Sequence, residues 1–143
     1  MTTEDNKALM RRIYEVFNTG NLALADEVIA ADAVDHQAMP GMAPGREGFK
    51  QLVTMFRAAF PDLECIIEDM LAEGDKVVTR LTMRGTHQGE LMGIAPTGRP
   101  ITVTGIDIVR FAQGQVVEHW GNQDDLGMLQ QLGVVPAPGQ GGG

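Results

Sequence analysis

Apolar residues in the first sixty positions recur every three or four residues, and in the next sixty they alternate. Leu9, Ile13, Val16 and Phe17 form one stripe, and Met10, Tyr14 and Phe17 a neighbouring one, which predicts a helix. Thr3 with Glu4 and Asp5 starts it, and Asn18-Thr19-Gly20-Asn21 ends it. A short second helix is expected over about Leu22–Ala30, then a short strand, Ala33–His36, and a Pro/Gly/Met-rich loop, Gln37–Gly45. A third helix is expected from about Arg46 to Phe60, with Phe49, Leu52, Val53, Phe56 and Phe60 on one side and Pro61 closing it. The alternating part then predicts strands over Asp62–Glu73, Lys76–Thr86, and the two halves of Ile101–Gly121. Gly74-Asp75 reads as a turn, His87–Arg99 as an ordered loop with three Gly and a Pro, and the DDLGMLQQLG segment as a short last helix.

Helices first and antiparallel strands afterwards imply an α+β domain, its helices packed on one face of a curved antiparallel sheet. Such a sheet encloses a cone, and an apolar cone with a few polar groups is a small-molecule pocket. One domain is expected over residues 1–133, with residues 134–143 as a flexible Pro/Gly tail. A net charge of −8 and a pI near 4.7 argue against nucleic acid or anionic membranes as partners. No apolar run is long enough to span a bilayer, and the polar opening MTTEDNK is unlike a secretory signal, so a cytoplasmic location is expected. The single cysteine, Cys65, has no CxxC partner and reads as a strand residue. Nine Met against five Phe, one Tyr and one Trp suggest an adaptable interior.

Candidate chemistry concentrates in the last hairpin. Val103, Gly105, Asp107, Val109 and Phe111 share one face of the first strand, and Gln115, Val117, His119 and Gly121 one face of the second. Each apolar face thus carries one ionisable group, the raw material of an acid–base site. A three-residue loop, Ala112-Gln113-Gly114, sets Asp107 directly across from His119, whereas a two-residue loop pairs Asp107 with Trp120 and turns His119 away. The first register is the expected one, because it gathers both groups and the apolar residues on one face. Asp107 is then a general base, His119 its partner, and Tyr14, on the helix roofing the cone, a donor to an enolate oxygen. A purely structural Asp–His pair is the alternative. The three histidines lack HxH or HExxH spacing and no GxGxxG or P-loop occurs, so neither a metal nor an organic cofactor is expected. Trp120, Ile106, Ile108 and Val116 point outward and suggest a homodimer or homotetramer.

Four segments occur in a familiar order: FNTGN after the first helix, VDHQAMPG after the second, GTHQGELMGIAPTGRP in the long loop, and EHW followed by DDLGMLQQLG at the end. Over Lys7–Gly133 the chain resembles the SnoaL-like polyketide and ester cyclases of the NTF2-like superfamily, which have cone-shaped α+β folds. The resemblance implies ring closure by intramolecular aldol condensation of a hydrophobic polyketide-like ester, without a cofactor, in an oligomer. By position, Phe17 and Leu52 match pocket-wall residues, His87 matches a loop histidine, and Asp124 an aspartate that opens the last helix. The family's catalytic aspartate, two residues after the histidine matching His119, is Gly121 here, while Asp107 stands where the family commonly has a second histidine. Substrate contacts are therefore expected at Phe17, His36, Leu52, Phe56, His87 and Gly121. Two other functions stay open: a non-catalytic apolar-ligand binder, or another chemistry on the same scaffold, such as hydroxylation or epoxide opening.

Overall fold

The structure, a computed structural model, describes residues 2–136. The Pro/Gly tail expected from residue 134 therefore lies mostly outside the described residues. Nine elements follow in order: α1 (Thr3–Thr19), α2 (Leu22–Val28), β1 (Ile29–Asp35), α3 (Gly45–Ala59), β2 (Glu64–Glu73), β3 (Lys76–Thr86), β4 (Pro100–Ala112), β5 (Gln115–Gln123) and α4 (Asp125–Gln131). The strands form one sheet in the order β1-β5-β4-β3-β2. All neighbours are antiparallel except β1, which runs parallel to β5. Among the described residues no helix is long and apolar enough to cross a membrane.

Local chemistry sets the element ends. Thr2, one residue earlier than expected, caps α1: its hydroxyl accepts from Asp5 N (3.0 Å) and Asp5 Oδ2 accepts from Thr2 N (2.8 Å). Gly20, at φ 74°, closes α1 in the left-handed conformation. Arg57 reaches from α3 to donate to the freed carbonyls of Phe17 and Asn18 (2.8 and 3.0 Å). The second helix ends at Val28, because Ile29 already pairs with Val116 of β5. The β2–β3 pair is tied at its open end by Asp62, whose carboxylate accepts from the amide and hydroxyl of Thr86 (2.7 and 2.8 Å).

One face of the sheet is covered by the helices and holds the core. Met10, Ile13, Tyr14 and Val16 of α1 pack with Val28, Val53, Val77, Leu81, Val109 and Phe111 in one buried cluster. Phe60, Leu63, Leu91, Ile101, Val103 and Met128 form a second, and Phe17 and Met83 touch both. Burying such side chains supplies roughly 1.5–3 kcal/mol each before entropy is charged. The long loop is ordered, as expected: His87 and Arg99 zip its ends together, and Leu91 is fully buried beneath it.

The hairpin departs from both expected registers. Its turn has two residues, Gln113 and Gly114, both left-handed (φ 53° and 77°), the form that suits the twist of a hairpin. Taken alone, that turn would point His119 outward. A bulge then intervenes: Phe111 pairs with Val116 but Arg110 pairs with Glu118, leaving Val117 unpaired. The extra residue returns His119 to the inner face. Asp107 faces Gly121 across the ladder, and His119 is its diagonal neighbour rather than its direct partner.

Candidate active site

Asp107 sits mid-strand on the inner face and is 9% exposed. Its position over Gly121 explains the glycine. A Cβ at residue 121 would lie 2.5 Å from Asp107 Oδ1 and 3.0 Å from His119 Nε2. The missing side chain is the space that the carboxylate occupies. The inner-face residues on either side of Gly121 close on it: His119 Nε2 lies 2.8 Å from Asp107 Oδ1, and Gln123 Nε2 donates to the same oxygen at 3.0 Å. Gln123 can fold inward because its pair partner is Gly105, where a Cβ would meet the Gln123 chain at 2.8 Å. From the roof, the Tyr14 hydroxyl donates to Asp107 Oδ2 at 2.7 Å. Three donors from α1 and β5 thus converge on one buried carboxylate, as burial of a charge requires.

His119 is held from both sides. Its Nδ1 lies 2.8 Å from Asp35 Oδ1, at the end of β1, and its Nε2 faces Asp107. A neutral imidazole has one N–H and would turn a lone pair toward one of these carboxylates, so the arrangement calls for the imidazolium. Burial opposes that charge, but the hydrogen bonds to Asp107 and Asp35 overcome it and push the His119 pKa up to about 9. At Asp35 burial likewise opposes ionisation; the bonds from His119 and from the Gln37 amide outweigh it and hold the carboxyl below its ordinary range. Burial, then the charge of Asp107, raises the Tyr14 phenol far above its usual value, so it stays a donor. The Cys65 thiol, buried near Asp107, is pushed up to about 12 and is inert as a nucleophile.

The predicted triad of Asp107, His119 and Tyr14 therefore meets. Tyr14, however, spends its hydroxyl on Asp107, so it is a partner of that carboxylate rather than a free donor. The predicted wall is only partly assembled. Phe17 and Phe56 are half-buried on α1 and α3, and Phe17 meets Phe49 edge-on at 5.3 Å. Leu52 is half-buried on the same face of α3. His36 is not in the cone: its ring stacks on Trp120 at 5.1 Å and bonds to Glu118 at 2.7 Å, on the outer face. The chain crosses the sheet edge between Asp35 and His36, and alternation sends the two side chains to opposite faces. His87 is fully buried; its Nδ1 accepts from the Thr97 amide (3.2 Å), which orders the long loop, and its Nε2 has no hydrogen-bond partner among the described residues. Gly121 seats Asp107. Asp124 caps α4 through the Gly127 amide (3.0 Å).

Asp35 and Gln123 were missed by sequence reasoning. A carboxylate just before a loop and a glutamine at a strand end carry little signal, and both act only through long-range strand pairing. Among the described residues no three His, Cys, Asp or Glu side chains are disposed to hold a metal ion, and both His119 nitrogens are committed to carboxylates. Two surface clefts, of about 410 Å³ beside Leu22 and Lys50 and 550 Å³ beside Asn6 and Asp75, are lined by neither Asp107 nor His119. Asp107 and His119 are the candidate site because titratable and polar side chains converge there.

The family model described as SnoaL-like polyketide cyclase matches residues 7–132. The chain belongs to that family. It is 33% identical to nogalonic acid methyl ester cyclase of Streptomyces nogalater, over 82% of this chain and 89% of the relative. Among solved structures it is similar to IdmH of Streptomyces antibioticus, a candidate polyketide cyclase, at 41% identity and a TM-score of 0.78 over 90% of this chain and 99% of that one. It is also similar to AclR of Streptomyces galilaeus, a candidate hydroxylase, at 30% identity and a TM-score of 0.82 over 95% and 85%. The α+β fold and family expected from the sequence are thereby established. The chain's buried carboxylate, Asp107, lies on β4.

Proposed function

We propose that this protein is a cofactor-independent cyclase that closes a carbocyclic ring in a hydrophobic polyketide ester. The observation that carries the reading is Asp107, a carboxylate whose 12%-exposed side chain is flanked by an imidazolium and a phenol. In the reaction, Asp107 removes a proton from the carbon beside a carbonyl. The enolate carbon attacks a ketone of the same molecule: one C–C bond forms and the ketone oxygen becomes an alkoxide. The alkoxide recovers the proton from Asp107, so atoms and electrons balance without an oxidant. When Asp107 takes the proton, the charge that held Tyr14 and Gln123 is gone, and their N–H and O–H groups can turn to the growing oxyanion. Phe17, Leu52 and Phe56 supply apolar wall.

The test is incubation with nogalonic acid methyl ester, the compound named for the S. nogalater relative, with chelator present and no added cofactor. The expected product is an isomer of equal mass. Asp107→Asn is expected to lower the rate about 10²–10⁴-fold, the usual contribution of a positioned base. A variant as fast as the parent would overturn the assignment, and binding without turnover by either protein would leave a ligand-binding module. Hydroxylation is the second reading, favoured by the likeness to AclR; its product would be heavier by one oxygen, and its rate would depend on O₂ and on an added two-electron donor that takes the second oxygen to water.

The outer face supports a homodimer. Leu71, Val78, Ile108 and Trp120 are successive cross-strand partners and form an apolar row across four strands, with Leu71 70% exposed. Ion pairs flank the row, Arg80–Asp69 on one side and Arg110–Glu118 on the other.

A further inference from the structure

We propose that Asp35 is a positioning residue of this site, fixing the His119 imidazole from the rim so that one N–H is always turned to Asp107. The proposal rests on the acid–base reading above and adds a residue to it. Asp35 ends β1 and is the parallel pair partner of His119. Its Oδ1 accepts from His119 Nδ1 at 2.8 Å and from the Gln37 amide at 2.8 Å, so the carboxylate is itself held before it holds the ring. The side chains grade from water to interior: Asp35 is 40% exposed, His119 27% and Asp107 12%. Without Asp35 the ring is free to rotate and to choose its tautomer, and the tautomer with a bare Nε2 would repel Asp107.

No other described group competes for this role. On β4 the charged neighbour of His119 is Asp107. From α1 and β2, Tyr14 and Cys65 face Asp107. On α2, Glu27 is paired with Arg12 and Asp26 with Lys50. His36, next in the chain, is turned outward to Glu118. Asp35 is therefore the carboxylate that holds the Nδ1 side of the His119 ring.

The experiment uses the full chain as Asp35→Asn, Asp35→Glu and Asp107→Asn, with nogalonic acid methyl ester as probe. His119 is titrated by ¹⁵N NMR, and the cyclisation rate is recorded against pH. Asp35→Asn can still accept from Nδ1 but lacks charge, so His119 is expected to lose its proton about one pH unit or more lower. The alkaline limb of kcat should move with it, with KM little changed, as expected when substrate binding is untouched. Asp35→Glu keeps the charge and should return both readings toward the parent. If Asp35→Asn superimposes on the parent in both the titration and the rate profile while Asp107→Asn is inactive, the Asp35 assignment is overturned alone. If Asp107→Asn turns over at the parental rate, the acid–base reading itself has failed, and Asp35 has no reaction to serve.

Discussion

Replacing Gly121 by alanine adds one methyl group at the most crowded point of the site. Its Cβ would lie 2.5 Å from Asp107 Oδ1, 3.0 Å from His119 Nε2 and 3.2 Å from His119 Cε1. The carboxylate cannot swing aside freely, because that oxygen already accepts from His119 and Gln123 and its twin from Tyr14. Three effects compete. Overpacking a tight interior costs about 1–3 kcal/mol. Stretching or losing one hydrogen bond to a charged group costs about 1.5–3 kcal/mol. Alanine gains under about 1 kcal/mol over glycine in a strand. The first two win, and Gly121→Ala should lose about 2–4 kcal/mol in urea denaturation. For a chain of this size that is a fall in Tm of about 6–12 °C, at roughly 3 °C per kcal/mol. The pKa of His119 should fall from about 9 toward 6.5 in the same variant as its Asp107 bond opens. A variant within about 0.5 kcal/mol of the parent, with His119 titrating as before, would show that Asp107 does not rest in the space at residue 121. Gly121→Asp adds a second carboxylate to the same clash, and one of the two should then keep its proton near neutral pH.

Tyr14→Phe removes a buried donor to a carboxylate; stability should drop by about 1.5–3 kcal/mol and cyclisation should slow, whereas an unchanged rate would deny Tyr14 any part in the chemistry. The folded pKa of His119 lies above its unfolded 6.5, so its contribution is complete below pH 6.5 and is lost as pH rises through about 9. Urea midpoints from pH 6 to 9 should record a loss of up to about 3 kcal/mol, absent in His119→Gln; a flat profile in the parent would contradict the double-carboxylate clamp. Ile108→Asp, in the middle of the outer apolar row, should shift light-scattering mass from dimer to monomer without changing the circular dichroism spectrum, and a monomeric parent at micromolar concentration would remove the proposed contact.

The helices, the run of strands that follows them, and the placing of Asp107 and Tyr14 on buried faces were legible in the sequence, because a period of 3.6 or 2 is a local property of the chain. So were the ends of β3, where a polar turn on one side and a Gly-rich loop on the other bound an alternating run. The meeting of Asp107 with His119 was legible too, but for a reason the sequence did not contain. Three residues of loop were expected; a two-residue turn with a bulge at Val117 instead brings His119 back to the inner face, one ladder step from direct pairing. A bulge leaves no periodic mark; the two-residue turn sends Val116, expected outward, into the core, and the bulge then sends His119 to the same face. Tertiary structure alone decided Asp35, Gln123 and His36. Asp35 reaches His119 across 84 positions through a parallel pairing at the sheet edge, and Gln123 reaches Asp107 only because Gly105 and Gly121 leave the space. His36 was expected in the pocket, yet one residue of extended chain beyond Asp35 turns it to Trp120 on the other face. Local pattern says which face a residue takes within its own strand. Which strands lie side by side, and in what register, is set by long-range burial, and that is where this site was assembled.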